Sequence, residues 1–199
     1  MLKHPLHEEI GRILLSKMDK YNQNNPNTKM RVLLDPDCHP EQNKNRHRLP
    51  LFINEEKLNK TELCNVDAII KVGKKIKILI EIEESENNPT HIFGKFFTSN
   101  LAKMYIYDTD IIDLPNSSVF FIQVIDTKNL PPKTSKNDKF CIIQDAINNL
   151  ISTANKTKFE HGCIKEYKII LINNNCTEVT NFTEFKNWID ECLAITDVD

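Results

Sequence analysis

The sequence lacks the short motifs that mark most nucleotide-dependent and covalent enzymes. It contains no Walker loop, no GxGxxG, no GxSxG and no CxxC pair, so these classes of catalysis find no support. It also lacks any apolar run near the roughly 20 residues that span a bilayer, and we expect no membrane insertion. Its opening, MLKHPLHEEI, is not an apolar signal segment, and its six cysteines lie far apart. These features predict a reducing, cytoplasmic location.

A large excess of charge of either sign is absent too. The formal net charge is -2 at pH 7 over 199 residues, so a surface that binds a polyanion must come from local clustering of basic residues. The length predicts a single domain that buries a real core. We assign residues 1–199 to it, with a core over about 5–125 and a C-terminal α/β extension over about 139–199.

Apolar periodicity and turn signals predict a mixed α/β layout. Asn88 and Pro89 are a favourable N-cap and first-turn pair for a helix whose apolar residues recur through Tyr105. The polar, basic segment after Leu34 resembles a loop, and the region to about Thr61 stays unassigned. In chain order the predicted elements are a helix from Pro5 to about Lys20, the strand MRVLL, a hairpin of NVDAIIKV and KIKILIEIE, a helix from Pro89 through Tyr105, a strand from Ser118 to Ile125, a helix from about Phe140 to Ala154, the strand YKIILIN and a helix from about Thr183 to Ile195.

The second strand of the hairpin ends in a run of glutamates, KIKILIEIEES. Like charges at the end of a half-buried strand repel one another and are costly to desolvate, so they need open solvent or a cation. A three-residue turn that begins at Gly73 would give one apolar face and one face that carries the acids. The predicted pairs are Val72–Ile76, Ile70–Ile78, Ala68–Ile80 and Val66–Ile82 on the apolar face, and Lys71–Lys77, Ile69–Leu79, Asp67–Glu81 and Asn65–Glu83 on the other.

In this register Asp67, Glu81 and Glu83 converge. Directly opposed residues have Cβ atoms about 5 Å apart, so Asp67 and Glu81 should repel unless a divalent ion lies between them. Mg²⁺ suits such a site, because it binds through one or two carboxylates and takes its other ligands from water and phosphate. The alternative is a solvent-facing sheet surface stabilised by neighbouring lysines. Asp67 favours the metal site, because aspartate is disfavoured inside a β-branched strand.

At these residues the chain resembles the PD-(D/E)XK nuclease superfamily, in particular its restriction-endonuclease-like branch. The motif of that family is an acid on one strand and acid-x-lysine on the next, within a core of helix, strands, helix and strand. The match is Asp67 followed by Glu81-Ile82-Glu83. Val66 replaces the proline of the motif, and Glu83 stands where lysine is usual. The resemblance implies an α/β fold with a restriction-endonuclease-like core, in which helices flank a mixed central β-sheet with a catalytic hairpin.

The resemblance further implies metal-dependent hydrolysis of DNA phosphodiester bonds, as in a type II restriction endonuclease or its cleavage subunit. Asp67 and Glu81 would bind Mg²⁺, with Mn²⁺ as a substitute, helped by the carbonyl of Ile82. Glu83 would orient or deprotonate the attacking water, or hold a second metal ion. One chain supplies one active centre, so cleavage of both strands would need a homodimer or a partner subunit.

Two helix residues are further candidates for the site. Lys95 lies about two turns into the helix that follows the hairpin and is a candidate for the missing lysine, as a stabiliser of charge. A solvated lysine is the alternative. Glu9 borders the apolar face of the first helix, and a helix glutamate sometimes joins the metal site in this superfamily. The alternative is an edge residue that covers the core.

Two groups of basic residues are candidates for contacts with double-stranded DNA. A compact basic loop precedes the hairpin and suits phosphate contacts or base-edge readout. Lysines along or beyond the acidic face of the hairpin could meet the nucleic-acid backbone. Solvated surface is the alternative reading of the loop. The residues are Lys44, Arg46 and Arg48 in the loop and Lys71, Lys74, Lys75 and Lys77 in the hairpin.

Residues of zinc-ligand type occur without zinc-site spacing. Cys38, His39, His47 and Cys64 include no CxxC or HxxxH pair, which disfavours a structural zinc site. His4 and His7 could face one way on a helix, although histidines near a terminus are usually just exposed.

Two other functions compete with a restriction endonuclease. A structure-specific or repair nuclease on the same fold would cut branched DNA in place of a defined duplex sequence. A noncatalytic DNA-binding or protein-interaction module would keep the fold and use the acidic strand end as surface. Such a module would retain DNA without Mg²⁺ and would not respond to Asp67→Ala.

Overall fold

Helices and strands alternate along the chain in a computed structural model. It describes residues 4–39, 47–85, 88–108, 110–128, 135–157, 162–172 and 182–195. The helices are α1 (Pro5–Asn24), α2 (Pro89–Asn100), α3 (Ser135–Thr157) and α4 (Thr183–Ala194), with a 3-10 turn at Pro36–Cys38. The strands are β1 (Met30–Leu34), β2 (Leu49–Phe52), β3 (Glu62–Val66), β4 (Ala68–Val72), β5 (Lys75–Glu83), β6 (Met104–Tyr107), β7 (Asp110–Asp113), β8 (Val119–Asp126) and β9 (Ile164–Ile172). In the ranges described, no helix is both long and apolar enough to cross a bilayer.

A mixed five-stranded sheet lies at the centre, in the order β1-β4-β5-β8-β9. Strands β1, β4 and β5 pair antiparallel, whereas β5, β8 and β9 pair parallel. The parallel pairs need crossover connections, and α2 and α3 lie in these connections. The predicted α/β class with a mixed sheet is therefore confirmed.

Apolar side chains cover both faces of the central sheet. On one face, α1 and α4 bury Leu6, Ile10 and Phe185 against alternate residues of β5 such as Ile78 and Ile80. The other face packs against α2, α3 and a second sheet. Burial on both faces explains why β5 and β8 have almost continuous apolar sequences. A polar residue within them is therefore surrounded by the core.

The second sheet has the order β3-β2-β6-β7, with antiparallel pairing throughout. The sequence prediction missed it, because it extended α2 through Met104 and Tyr105 and left the region before Thr61 unassigned. Helix α2 ends at Asn100, and both of these apolar residues belong to β6. Short apolar runs fit a helix face and a buried strand equally well, so only pairing with β2 decides.

The β4–β5 hairpin is confirmed, but its turn differs from the prediction. Gly73 and Lys74 form a two-residue turn, with Gly73 at φ 60°, as such hairpin turns require. Val72 therefore pairs with Lys75, and Lys71 pairs with Ile76 in place of Lys77. A bulge then shifts the register by one residue, because Lys77 is an extra residue of β5 between the pairs Lys71–Ile76 and Ile70–Ile78. Beyond it the predicted pairs Ile70–Ile78, Ile69–Leu79 and Ala68–Ile80 occur.

The predicted strand NVDAIIKV is broken at Asp67. Val66 pairs with Leu49 and Asn65 with Pro50, both in the second sheet, so their predicted pairing with Ile82 and Glu83 is wrong. From Ala68 onward the chain belongs to the central sheet. Asp67 is therefore the residue at which the chain passes from one sheet to the other.

Glycine is required at one position in α1. A Cβ atom on Gly11 would lie 1.9 Å from the Cys38 carbonyl oxygen, whereas a Cβ atom on Gly94 in α2 would meet nothing within 4 Å. We expect Gly11→Ala to lower the free energy of unfolding by about 1–3 kcal/mol or more. Gly94→Ala, the matched control, should raise it by up to about 1 kcal/mol. Urea denaturation of both variants measures this, and equal effects would contradict the close helix approach.

Candidate active site

Asp67 is held by backbone hydrogen bonds on both sides. Its amide donates to the Ile80 carbonyl at 3.1 Å, and its carbonyl accepts from the Asp35 amide at 2.9 Å. Its side-chain Oδ2 accepts from the Ile82 amide at 2.7 Å. The Asp67 carboxylate thus accepts a hydrogen bond from the backbone of β5. It lies beside Glu81 and Glu83, the two residues that flank Ile82. Its side chain remains 21% exposed, so solvent reaches it.

Glu81 and Lys95 form an ion pair in the core. Glu81 Oε2 accepts from Lys95 Nζ at 2.8 Å, with Glu81 0% exposed. Burial and the nearby Asp67 carboxylate raise the pKa of Glu81. Burial alone would lower the pKa of Lys95, but the Glu81 carboxylate outweighs it and raises that pKa. The predicted α2 lysine therefore touches the predicted metal-ligand acid.

The second carboxylate oxygen of Glu81 lies in an unusual environment. Glu81 Oε1 is buried, and within the described part of the chain it has no hydrogen-bond partner. A buried acceptor without a partner is costly. A cation that reaches Glu81 from the side of Asp67 would remove this cost. The solvent-facing alternative for the hairpin acids is wrong, because Glu81 and Glu83 are both buried.

Glu83 continues the same side of β5. Its Oε2 lies 3.8 Å from Nδ1 of His91, in the first turn of α2. On the neighbouring strand β8, Glu81 pairs in register with Gln123. Gln123 is fully buried, and its Oε1 accepts from the Tyr167 hydroxyl. The sequence prediction missed Gln123, although a lone amide inside SVFFIQVI was a signal for it.

The first helix contributes a histidine in place of the predicted glutamate. Glu9 bonds Arg12 at the surface with its side chain 36% exposed, so it takes no part in the cluster. His7 is buried, and its Nε2 lies 3.8 Å from Asp67 Oδ2. The sequence prediction had treated His7 as an exposed residue near the terminus.

Glu84 reaches the start of α1 from β5. Its Oε1 accepts from the Leu6 amide at 2.8 Å, the His7 amide at 3.1 Å and His7 Nδ1 at 3.0 Å. Burial opposes the shift, but the hydrogen bonds from His7 and Leu6 lower the pKa of Glu84. The carboxylate therefore caps α1 from a position 78 residues away in the sequence and fixes the helix beside Asp67.

The basic residues predicted to contact DNA are dispersed. Lys44 and Arg46 lie outside the described residues, and Arg48 is exposed just before β2. Lys71 is buried, with its Nζ 3.5 Å from Asp110 Oδ2. Lys74 and Lys75 are exposed at the hairpin turn, while Lys77 is half-buried.

A basic cleft lies at the hairpin turn, at the opposite end of β5 from the acids. Its volume is about 600 Å³. Among the described residues that line it, the cations are Lys29, Arg31, Lys71 and Lys74, and the acid is Asp110. Lys29 and Arg31 were not among the predicted DNA contacts. This cleft supplies the local cluster of positive charge that a chain of net charge -2 needs in order to bind a polyanion.

Comparison with family models, with curated proteins and with solved structures gives no match for this chain. Function on a fold of this class is decided by the site, because similar α/β architectures carry unrelated activities. The group that defines the site is Asp67 at the sheet crossover, Glu81 and Glu83 on β5, and Lys95 on α2.

Proposed function

We propose that the protein is a Mg²⁺-dependent endodeoxyribonuclease of the PD-(D/E)XK superfamily, acting as a type II restriction endonuclease or its cleavage subunit. The observation that carries this proposal is the 2.8 Å contact between Lys95 Nζ and Glu81 Oε2, beside the Asp67 carboxylate. An acid before the hairpin strand, an acid on that strand and a nearby lysine are the parts that the superfamily motif requires. Here the lysine comes from α2, and Glu83 occupies the motif position at which lysine is usual.

The topology of the central sheet supports the same proposal. Strands β1, β4 and β5 form an antiparallel meander, and α2 then leads to β8, which pairs parallel to β5. With β6 and β7 inserted between α2 and β8, this order agrees with the helix, strands, helix and strand order expected of the superfamily core. The acids lie at the end of β5 where α2 begins, which places Lys95 above them.

The residues present fit a magnesium ion. Asp67 and Glu81 would hold it, with the Ile82 carbonyl and Glu83 as further oxygen donors, and Mg²⁺ prefers such oxygen ligands. The buried Glu81 Oε1, which has no hydrogen-bond partner among the described residues, is an oxygen ligand suited to the ion. When bound, Mg²⁺ supplies charge neutralisation at the phosphoryl group and lowers the pKa of the attacking water.

The side chains of this protein have separate tasks in hydrolysis. Lys95 orients Glu81 and places a positive charge where negative charge develops on the phosphate. Glu83 accepts a proton from the attacking water or orients that water. The Ile82 amide fixes the Asp67 carboxylate. Double-stranded DNA would also contact the basic cleft at the other end of β5, and a homodimer or partner subunit would supply the second cut.

Incubation of the purified protein with plasmid and phage DNA tests this function. We expect discrete fragments with Mg²⁺ or Mn²⁺ and intact DNA with EDTA. In EDTA the DNA should still be retained on the protein, with an affinity that falls as salt rises. Cleavage of branched DNA alone would identify a structure-specific nuclease. DNA that stays intact with a folded protein under all conditions would contradict the nuclease proposal and favour the noncatalytic module.

A further inference from the structure

Three potential metal ligands meet at the start of α1. Within the described residues, one set of three His, Cys, Asp or Glu ligand atoms lies entirely within 4.8 Å, and it comprises His4, His7 and Glu84. His7 Nδ1 lies 3.0 Å from Glu84 Oε1, and His4 Nδ1 lies 3.9 Å from Glu84 Oε2. The two imidazole ring centroids are 5.3 Å apart. None of the three belongs to the proposed magnesium ligands.

These spacings suit a small tetrahedral ion. Ligand atoms on such an ion, with bonds of about 2.1 Å, lie about 3.4 Å from one another. The distance from His7 Nδ1 to Glu84 Oε1 is 3.0 Å and that from His4 Nδ1 to Glu84 Oε2 is 3.9 Å, so the two histidines approach the two oxygens of one carboxylate at spacings on either side of that value. The His4 side chain is 37% exposed, and a change of its rotamer would shorten its distance to the Glu84 carboxylate.

The fold holds the other two ligands in place. Glu84 Oε1 is occupied by the backbone amides of Leu6 and His7, so its Oε2 faces His4. The His7 ring is buried, and its Nε2 faces Asp67 at 3.8 Å. A histidine that binds a metal through one ring nitrogen commonly directs the other toward a carboxylate. His7 has this arrangement.

The electrostatic balance of the site also allows a cation. The positive end of the α1 dipole disfavours a cation. The Glu84 carboxylate lies at the site itself, and Asp67 lies behind His7, so two negative charges oppose that effect. Two neutral imidazoles and one carboxylate select Zn²⁺, Co²⁺ or Ni²⁺ over Mg²⁺, because Mg²⁺ prefers oxygen ligands.

We propose that His4, His7 and Glu84 form a second metal site, for a divalent transition-metal ion such as Zn²⁺. The ion binds one ring nitrogen of His4, Nδ1 of His7 and the Glu84 carboxylate, and it leaves one position open to water or a ligand. When His7 Nδ1 binds the ion, the single N–H proton of the neutral imidazole is carried on Nε2, which faces Asp67. The site thereby connects transition-metal occupancy to a carboxylate of the proposed active site. Ion binding itself does not depend on the proposed nuclease function.

Metal titration of tag-free, EDTA-dialysed protein tests this site directly. Zn²⁺ binding is measured by competition with a chelating dye, and Co²⁺ binding is followed by its visible absorption. Excess Mg²⁺ is present, and the Glu81→Gln variant is included, so that the carboxylate site does not contribute. The background carries Cys141→Ser, because Cys141 is an exposed free thiol and thiolates bind Zn²⁺. We expect one Zn²⁺ per chain and a Co²⁺ spectrum without a thiolate charge-transfer band.

His4→Ala should weaken Zn²⁺ binding by on the order of 100-fold, and Glu84→Gln should weaken it similarly. The matched control is His47→Ala, which removes an exposed imidazole outside the cluster and should leave affinity unchanged. The His4 side chain makes no cap hydrogen bond to the described residues, and its backbone carbonyl, which accepts from the Glu8 amide, is kept in His4→Ala. This variant should therefore stay folded, and circular dichroism checks this. The proposal is overturned if wild-type protein binds no Zn²⁺, or if His4→Ala binds it as tightly as wild type. A protein that binds Zn²⁺ here but cuts no DNA would disprove only the nuclease function.

Discussion

Asp67→Asn is expected to abolish DNA cleavage while leaving the fold intact. The asparagine oxygen can still accept from the Ile82 amide, as Asp67 Oδ2 does at 2.7 Å, so the backbone arrangement at the sheet crossover should persist. The negative charge that would hold Mg²⁺ is lost. Loss of one preorganised electrostatic contact commonly lowers a rate by about 10²–10³-fold, and we expect at least this decrease. Glu81→Gln should act in the same way.

Asp37→Asn is the matched control for this experiment. Asp37 is an exposed aspartate in the 3-10 turn near the site, and its replacement changes charge in the same way without touching Ile82. Initial rates of plasmid cleavage at several Mg²⁺ concentrations, beside urea denaturation of each variant, measure the effect. Cleavage by Asp67→Asn at the rate of Asp37→Asn, with both folded, would exclude Asp67 from the chemistry.

Lys95→Met is expected to lower the free energy of unfolding by about 3–5 kcal/mol, because it leaves the buried Glu81 carboxylate without its partner. The double variant Glu81→Gln/Lys95→Met should recover most of this loss, since it buries no charge. The double-mutant cycle then gives a coupling energy of about 2–3 kcal/mol between the two side chains, at the upper end of the usual range. Urea denaturation at neutral pH measures all four proteins.

Lys168 supplies the control for this cycle. Its Nζ lies 2.8 Å from Glu184 Oε1, the same distance as in the Lys95–Glu81 pair, but the Glu184 side chain is 58% exposed. An exposed pair contributes about 0–1 kcal/mol, so Lys168→Met should have a small effect. Equal losses for Lys95→Met and Lys168→Met would show that burial does not strengthen the Glu81 contact.

Much of the central sheet was predictable from the sequence, because local pattern determines it. The alternating isoleucines of KIKILIEIE and the run SVFFIQVI predict strands that the structure contains as β5 and β8. The pairing of Ile70 with Ile78 followed from matching apolar faces. The position of Lys95 near the acids was predictable as well. A short connection joins β5 to α2, and Lys95 lies about two turns into that helix.

The surroundings of the acids were not predictable, because nonlocal pairing determines them. Nothing local in NVDAIIKV shows that the chain passes from one sheet to the other at Asp67. That passage depends on the pairing of Val66 with Leu49, which lies outside this segment of the sequence. Strand preference depends on which neighbours are available. Glu84 looked like one more strand-end acid, yet it caps a helix 78 residues earlier in the chain. This cap holds the start of α1 beside β5 and so brings His7 near Asp67.

The second sheet connects the two segments that carry Asp67 and Lys95. Strand β3 ends next to Asp67, and its partner β2 pairs with β6, which follows α2. The segment that carries Asp67 is thus linked to the helix that carries Lys95 by a route that does not include β5. Displacement of this sheet would change the separation of Asp67 and Lys95 while Glu81 stays fixed in the core. A molecule that bound the second sheet and displaced it would alter the separation of Asp67 and Lys95 without touching either residue.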